Sequence, residues 1–291
     1  MDKFPKKKTP KVPGTCIFCG SSGLSHEHIW ANWLRDYIPR DLASTIHTGQ
    51  VAGTILHGNT RIPYNSTKTT EASGDPHSQR LRKVCKRCNS GWMSILQNRV
   101  KPILTPHLAG HWPDKCDSDQ KILAAWATMF TMVVEFKHIP TVTVNQKQRQ
   151  DFSLIQIPPE NWHVWCGHYE GKFWKESKCF SHFGLVPSAF AAYPKDIPSV
   201  IRMPNQFNAQ STAITIGNLF LMTFSWVNDA VRNFDPLRFE IAHGLRTVWP
   251  VRNPVVVAPT VILDDFVADH VSRSFVPLDQ RNSVRPAWLH G

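Results

Sequence analysis

The sequence predicts an α+β protein in which a small cysteine-stapled N-terminal module precedes a larger α+β domain with a mainly antiparallel sheet. Two Cys-x-x-Cys pairs, Cys16/Cys19 and Cys85/Cys88, bracket the module. A strongly apolar segment over 121–136 predicts a central core helix. In the second half of the chain, short runs of aromatic and β-branched residues alternate with glycine turns, which is typical of antiparallel strands.

The positive charge of the chain is concentrated in its first third. The 291 residues carry a formal net charge of +11, and residues 1–105 hold 16 Lys and Arg against 6 Asp and Glu. Residues 106–291 are almost balanced, with 17 against 16. A basic footprint confined to one module indicates a polyanionic partner for that module. Residues 1–14 place lysines between prolines, which predicts a disordered basic arm that either follows a phosphate backbone or is a solvated tail.

Cysteine usage and hydropathy indicate the compartment. The chain has seven cysteines, four of them in metal-type spacing, and this odd count favours a reducing environment. The Lys- and Pro-rich start has no apolar core that would make a signal peptide. No apolar run reaches the roughly 18 residues that a membrane-spanning helix requires. We therefore expect a cytoplasmic protein without a membrane partner.

The two cysteine pairs predict a structural metal site. Two thiolates two residues apart bind one side of a Zn²⁺ ion, and a second such pair completes a closed tetrahedral site. A closed site leaves no open position for a reacting water, so any chemistry has to come from neighbouring side chains. The candidates are His26, Glu27, His28 and Asn89, which lie between the cysteine pairs or directly after them.

Periodicity and turn residues predict the elements of the module. Apolar residues at helical spacing over 27–37 predict a helix that Pro39 ends, and a short strand or turn over 25–28 is expected at its start. A strand leads into the second cysteine pair, and Asn89 is predicted to cap the helix that follows, with Pro106 after its end. The full set is a hairpin over 50–56 and 60–64, a loop over 66–78, a strand over 81–84 and a helix over 89–104.

The module is predicted to end near residue 108, and residues 109–291 form the second domain. Its role is open, and the alternatives are recognition of the substrate, homodimerisation and binding of a regulatory protein partner. His163, Cys166 and His168 with Cys179 and His182 are either a second metal site or core and edge residues. The predicted elements are a helix over 121–136 capped by Asp117, Ser118 or Asp119, a helix over 145–154 capped by Asn145, a meander over 162–169, 173–177 and 179–184, and a hairpin over 212–216 and 219–227.

The order of these motifs resembles a known nuclease family. A Cys-x-x-Cys pair, an acid-histidine pair and a second Cys-x-x-Cys pair followed directly by Asn resemble the zinc-stapled HNH, or ββα-metal, endonucleases. The resemblance covers about the first third of the chain and implies an HNH-like module over 15–108. It implies that Glu27 and Asn89 hold one catalytic divalent cation, Mg²⁺ or Mn²⁺, and that His28 activates a water. It favours DNA over RNA as the partner and allows a role in phage defence or mobile-element biology.

Several assignments stay open within this resemblance. His26 is a supporting group, a third ligand or a surface residue. Trp30 and Trp33 are the aromatic residues best placed to touch nucleic acid or to form a wall of the site. The sequence does not identify the middle residue of the HNH motif, which falls in the long interval between the cysteine pairs. Candidates for that middle residue are His47, His57, Asn59 and Asn65.

The alternative function is a catalytically inactive, zinc-dependent nucleic-acid-binding or adaptor protein. A nuclease predicts that Glu27, His28 and Asn89 converge around a space that is open to solvent. An adaptor predicts that Glu27 forms a salt bridge and that His28 is packed away from solvent.

Overall fold

The chain folds as a mixed helix and sheet protein with mainly antiparallel strands, as the sequence predicts. The computed structural model describes residues 14–38, 44–57, 60–73, 76–114, 116–137, 142–172, 179–183, 185–186, 209–226, 235–252, 258–259, 261–272 and 274. The predicted basic arm lies outside these residues, apart from Gly14. No helix among the described residues has both the length and the apolar character needed to cross a membrane.

A two-stranded antiparallel ribbon carries the N-terminal motif. Strand β1 (Leu24–His28) pairs with strand β4 (Arg80–Cys85). Both strands are therefore where the sequence predicts them, but the helix expected after β1 is only a 3-10 turn over Asn32–Asp36. Backbone pairing continues past β1, because the Ile29 amide donates to the carbonyl of Gln79 at 3.0 Å. Because of this pairing, the first residues of the predicted helix have extended backbone and are not helical.

The long interval between the cysteine pairs forms a hairpin. Strand β2 (Ser44–His57) and strand β3 (Thr60–Ser73) pair antiparallel in continuous register, and β7 (Leu185–Val186) joins β2 in parallel. The predicted hairpin is confirmed, but the loop predicted from residue 66 is wrong as far as Ser73. This polar segment is rich in Thr, a good strand former, and β2 pairs with its backbone along its whole length.

The second cysteine pair opens a kinked helix. A short helical turn, Lys86–Cys88, is followed by a wider turn over Asn89–Met93 with a non-helical residue at Gly91, and then by helix α1 (Ser94–Leu108). The predicted cap is wrong, because the Sγ atom of Cys85 accepts the hydrogen bond from the amide of Cys88. The predicted end before Pro106 is also wrong, since α1 continues through Pro106 to Leu108.

Two further helices complete the predicted helical elements. Helix α2 (Asp117–Val134) is the expected core helix, with most of its side chains buried. Its N-cap is Cys116 without a side-chain cap bond, so the predicted caps lie inside the first turn, where acidic groups favour the positive end of the helix dipole. Helix α3 (Gln146–Ile155) begins as predicted, with the side chain of Asn145 accepting from the amide of Gln148 at 2.8 Å.

The large sheet consists of strands β5 (Trp162–Tyr169), β6 (Cys179–Phe183), β8 (Ala209–Ile216), β9 (Leu219–Trp226), β10 (Arg246–Trp249) and β11 (Ile262–Leu263). Their order is β10-β5-β9-β8-β6, with β11 added to β5. The predicted hairpin of β8 and β9 is confirmed. The predicted meander is wrong, because β5 has β9 on one edge and β10 on the other, while β6 pairs with β8. The segment 173–177 lies outside the described residues. Helices α4 (Pro236–His243) and α5 (Asp265–Ser272) accompany this sheet.

One hydrophobic cluster runs from the N-terminal motif into the second half of the chain. Phe18 packs edge-on against Trp92 at 5.0 Å between ring centroids, and Trp92 in turn contacts Phe152 on α3 at 5.8 Å. Beside it, the fully buried Arg149 donates to Glu135 at 2.6 Å. These contacts fix the N-terminal motif against α2 and α3. The division into two domains near residue 108 stays a prediction.

Candidate metal centre and active-site cleft

The four cysteines of the two pairs converge on one point. Their sulfur atoms all lie within 4.8 Å of one another, and the sulfurs of Cys19 and Cys85 are 3.5 Å apart. A tetrahedral zinc ion, about 2.3 Å from each sulfur, separates its ligands by about 3.8 Å, so the cluster fits such an ion closely. Cys16, Cys85 and Cys88 are buried and Cys19 is half-buried. The cluster is therefore a closed site that could hold a metal ion such as zinc.

Local backbone geometry brings the two pairs together. The first pair forms a tight turn, in which the amide of Gly20 donates to the carbonyl of Cys16 at 2.9 Å. The amide of Ile17 donates to the carbonyl of Lys83 on β4 at 3.0 Å, which places this turn beside the second pair. Gly20 has a positive φ of 72°, a conformation that glycine adopts without steric cost.

Burial and hydrogen bonding shift the pKa values of the clustered thiols in opposite directions. Burial raises the pKa of the Cys16 thiol and of the Cys88 thiol. Burial also acts to raise the pKa of Cys19, but hydrogen bonds from Ser21 and the neighbouring cysteines outweigh it and bring this pKa to about 6. The exposed guanidinium of Arg87 adds positive charge next to Cys19. Thiolates at this spacing require a cation to offset their mutual repulsion, which supports the metal-binding interpretation.

An open cleft of about 540 Å³ lies beside the cysteine cluster. It lies between the end of β1, the 3-10 turn and the kinked start of α1. Glu27, His28 and Asn89 all line it, so three of the four residues singled out in the sequence meet at one solvent-accessible space. The remaining lining residues are Ala31, Asn32, Trp33, Ser90, Met93, Ser94, Gln97 and Asn98.

The ribbon is irregular just before Glu27 and His28. Adjacent residues of a regular strand point to opposite faces, so these two side chains would not share a site on an undistorted ribbon. The pairing register of β1 with β4 shifts between Ser25 and Glu27, where one residue of β1 faces two residues of β4. The extra residue is therefore on β4, and such a bulge bends and twists the ribbon locally. His26, at the bulge, is exposed and is not part of the cleft lining.

Glu27 lies in a weakly solvated environment. Burial raises the pKa of its carboxyl group to about 7, and a hydrogen bond from Asn89 partly opposes the effect. The amide nitrogen of Asn89 also donates to the hydroxyl of Ser25 at 3.3 Å, and this hydroxyl donates to the carbonyl of Val84 at 3.1 Å. Asn89 is thus held against β1 and β4, beside Glu27. Perturbed carboxyl groups in a cleft are a frequent mark of functional sites.

His28 is half-buried and carries one hydrogen bond across the ribbon. The Nε atom of Arg80 donates to Nε2 of His28 at 3.0 Å. Burial lowers the pKa of the imidazole, and the charges of Arg80 and Arg35 lower it further. His28 is therefore not packed in the core, and none of its partners among the described residues is a carboxylate.

Two residues of the cleft escaped the sequence analysis. The Oε1 atom of Gln97 accepts hydrogen bonds from the indole nitrogens of Trp33 at 3.1 Å and Trp126 at 3.0 Å. Asn32 lines the cleft four residues after His28. Neither Gln97 nor Asn32 belongs to a sequence motif. The one sequence feature that points to Gln97 is its polar side chain on the inner side of α1. Trp33 lines the cleft as expected, whereas Trp30 is buried against Phe130.

The side chains of the candidates for the middle HNH residue lie outside the part of the chain that the structure describes. His47 and His57 lie on β2 and Asn65 on β3, while Asn59 lies outside the described residues. Among the residues that the structure describes, the four cysteines are the group whose ligand atoms converge. His163 is instead stacked between Trp165 and Trp226, with ring centroids 5.5 and 5.3 Å away.

Comparison of the chain with protein-family models, with curated proteins and with solved structures gives no match. The geometry of the cleft and of the cysteine cluster is therefore the guide to function.

Proposed function

We propose that the chain is a metal-dependent endonuclease of the zinc-stapled HNH type, which hydrolyses phosphodiester bonds of nucleic acid with DNA as the expected substrate. The observation that carries the proposal is the convergence of Glu27, His28 and Asn89 on one solvent-open cleft next to a closed four-cysteine cluster. The surrounding charge agrees with an anionic substrate, since residues 76–113 contain seven Lys and Arg and no Asp or Glu.

In this proposal the cysteine cluster has a structural role. Cys16, Cys19, Cys85 and Cys88 hold a zinc ion that fixes β1 and the start of α1 relative to each other. These are the elements that carry Glu27, His28 and Asn89. A closed tetrahedral site does not bind the reacting water, so the chemistry takes place in the cleft.

The cleft residues have separate roles in hydrolysis. The carboxylate oxygen of Glu27 and the amide oxygen of Asn89 are donors of the kind that Mg²⁺ and Mn²⁺ prefer. A bound divalent cation would supply positive charge to offset the negative charge that develops on the phosphate and the leaving oxygen. His28 takes a proton from the water that attacks phosphorus as the P–O bond to the leaving group breaks. An imidazole is suited to this role because it exchanges protons near neutral pH.

Cleavage of supercoiled plasmid and of single-stranded DNA tests the proposal. Zinc-loaded wild type, His28→Ala and His26→Ala are compared in Mg²⁺, in Mn²⁺ and in chelator. His26 is the matched control, because it is an exposed imidazole two residues away that does not line the cleft. We expect cation-dependent nicking by wild type and His26→Ala, with a loss of about 10²- to 10⁴-fold in His28→Ala, the usual contribution of a general base.

The other outcomes have definite meanings. Full activity of His28→Ala would remove His28 from the mechanism, and loss of activity in His26→Ala alone would transfer the base to His26. DNA binding without cleavage by any of the three proteins would favour the alternative function, a zinc-dependent nucleic-acid-binding or adaptor protein.

A further inference from the structure

The proposed base is bonded to a residue that the proposed mechanism does not use. Arg80 donates from Nε to Nε2 of His28 at 3.0 Å. The two residues are direct partners across the β1–β4 ribbon, so backbone pairing holds their side chains next to each other. Arg80 is exposed and is not among the lining residues of the cleft, and it reaches the cleft through its bond to His28, which lines it.

This hydrogen bond occupies the only lone pair that His28 has for proton transfer. A neutral imidazole carries one N–H group and one free lone pair. Arginine keeps its proton and only donates, so Nε2 of His28 is the acceptor and Nδ1 carries the ring hydrogen. In this arrangement neither ring nitrogen can take a proton from water. Arg80 therefore has to leave Nε2 before His28 acts as a base.

A phosphate group is the natural competitor for Arg80. The planar guanidinium matches phosphate oxygens with two parallel donors, and the negative charge of a phosphate adds an attraction that the neutral imidazole does not offer. A second guanidinium, Arg35, acts electrostatically on the same imidazole. Two cations beside one neutral ring form an environment that attracts an anion.

We propose that Arg80 is the phosphate ligand of this cleft and that a bound phosphodiester draws its guanidinium away from His28, which frees the base only when substrate is present. The inference rests on the proposed function and deepens it. No covalent bond changes in this step, since Arg80 keeps its proton and Nδ1 of His28 keeps its hydrogen. What changes is the acceptor of one N–H group, from the imidazole to a phosphate oxygen.

The ring nitrogens of His28 report this step directly. Two-bond ¹H–¹⁵N correlation spectra of zinc-loaded protein, labelled at histidine, are recorded at pH 8 without added divalent cation, so that no cleavage occurs. The probes are inorganic phosphate and a short DNA hairpin. We expect Nε2 of His28 to resonate as a hydrogen-bonded acceptor in the free protein and to move, when the hairpin is added, to the position that it has in Arg80→Ala.

Binding of the same hairpin separates the role of Arg80 from general attraction. Arg82 is the matched control, because it is exposed two residues along β4 and donates to the carbonyl of Leu24 rather than to the cleft. We expect Arg80→Ala to weaken binding by roughly tenfold or more, the loss of one charge-assisted hydrogen bond. Arg80→Lys should recover part of this loss, because Lys binds phosphate as a point charge.

Two results would overturn the inference. One is an Nε2 resonance of His28 that stays unchanged at saturating hairpin. The other is equal loss of binding in Arg80→Ala and Arg82→Ala. Neither readout requires turnover, so a response of Nε2 to phosphate in a protein that never cleaves DNA would refute the nuclease and keep the phosphate site. Cleavage of DNA by a protein whose Nε2 does not respond would keep the nuclease and refute the phosphate site at Arg80.

Discussion

Removal of the metal from the cysteine cluster is predicted to destabilise the N-terminal motif strongly. The cluster joins two parts of the chain that are distant in sequence, since Cys19 and Cys85 are separated by 66 positions. The perturbation is either chelation of the zinc-loaded protein or substitution of one ligand, Cys88→Ser. Both break the connection between the first cysteine turn and the start of the kinked helix.

The size of the effect follows from the length of the closed loop. In the chain-entropy treatment of a crosslink, closing a loop of 66 residues is worth about 4 kcal/mol at 25 °C. Typical domains have a free energy of unfolding of about 5–15 kcal/mol, so this contribution is a large part of the total. The thiolate–metal bonds add to it, because ligand binding to the folded state is itself folding free energy.

Urea unfolding followed by tryptophan fluorescence measures this loss, together with a colorimetric zinc assay. The matched control is Cys116→Ser, because Cys116 is exposed and lies outside the cluster. We expect one zinc per chain in wild type and Cys116→Ser, and a clearly lower urea midpoint after chelation or in Cys88→Ser. An unchanged midpoint after chelation, or equal zinc loss in both variants, would refute the reasoning.

Three further predictions concern the framework of the cleft and the core. Arg149→Met leaves the carboxylate of Glu135 buried without its cation. We expect the free energy of unfolding to fall by about 3–5 kcal/mol in urea titrations. The double variant that adds Glu135→Gln should recover part of this loss. Gln97→Leu removes the acceptor of two indole N–H groups, so it should cost about 1–3 kcal/mol per buried donor, whereas Gln97→Glu keeps an acceptor oxygen and should cost less in the same titration. Burial and then the charge of Arg252 lower the pKa of His163 to about 4, whereas the value in the unfolded chain is about 6.5. Protonation of His163 therefore opposes folding, and the free energy of unfolding should decline as the pH falls from about 6.5 to 4. His163→Phe should flatten this decline in thermal melts across that range, and an unchanged slope would contradict the assignment.

The parts of the structure that local sequence determines were predictable. The spacing of each Cys-x-x-Cys pair fixes two sulfurs on one turn, and the four cysteines do converge. Asn145 caps its helix because the cap bond involves only the next three residues. The hairpin of β8 and β9 follows from two strand-like runs around Gly217 and Asn218.

The parts that depend on distant partners were not predictable. The meander failed because the neighbours of β5 are β9 and β10, which follow it by dozens of residues. The contact of Arg80 with His28 depends on the register of β1 against β4 and on the bulge between them. Gln97 is one polar residue on a helix, and its role appears only when Trp33 and Trp126 meet it in space.

We expect the protein to hold an open cation site in the cleft beside a closed site at the cysteines. Titration of zinc-loaded protein with Mn²⁺, followed by the electron paramagnetic resonance of free Mn²⁺, tests it most directly. The matched variants are Glu27→Gln and Asp36→Asn, since Asp36 is a nearby exposed carboxylate that does not line the cleft.

We predict one exchangeable Mn²⁺ per chain in wild type and in Asp36→Asn, with the zinc content unchanged in all three proteins. Glu27→Gln should bind Mn²⁺ at least about tenfold more weakly, because it loses the only carboxylate among the described residues that line the cleft. Mn²⁺ binding that is absent from wild type, or equally tight in Glu27→Gln, would contradict the account.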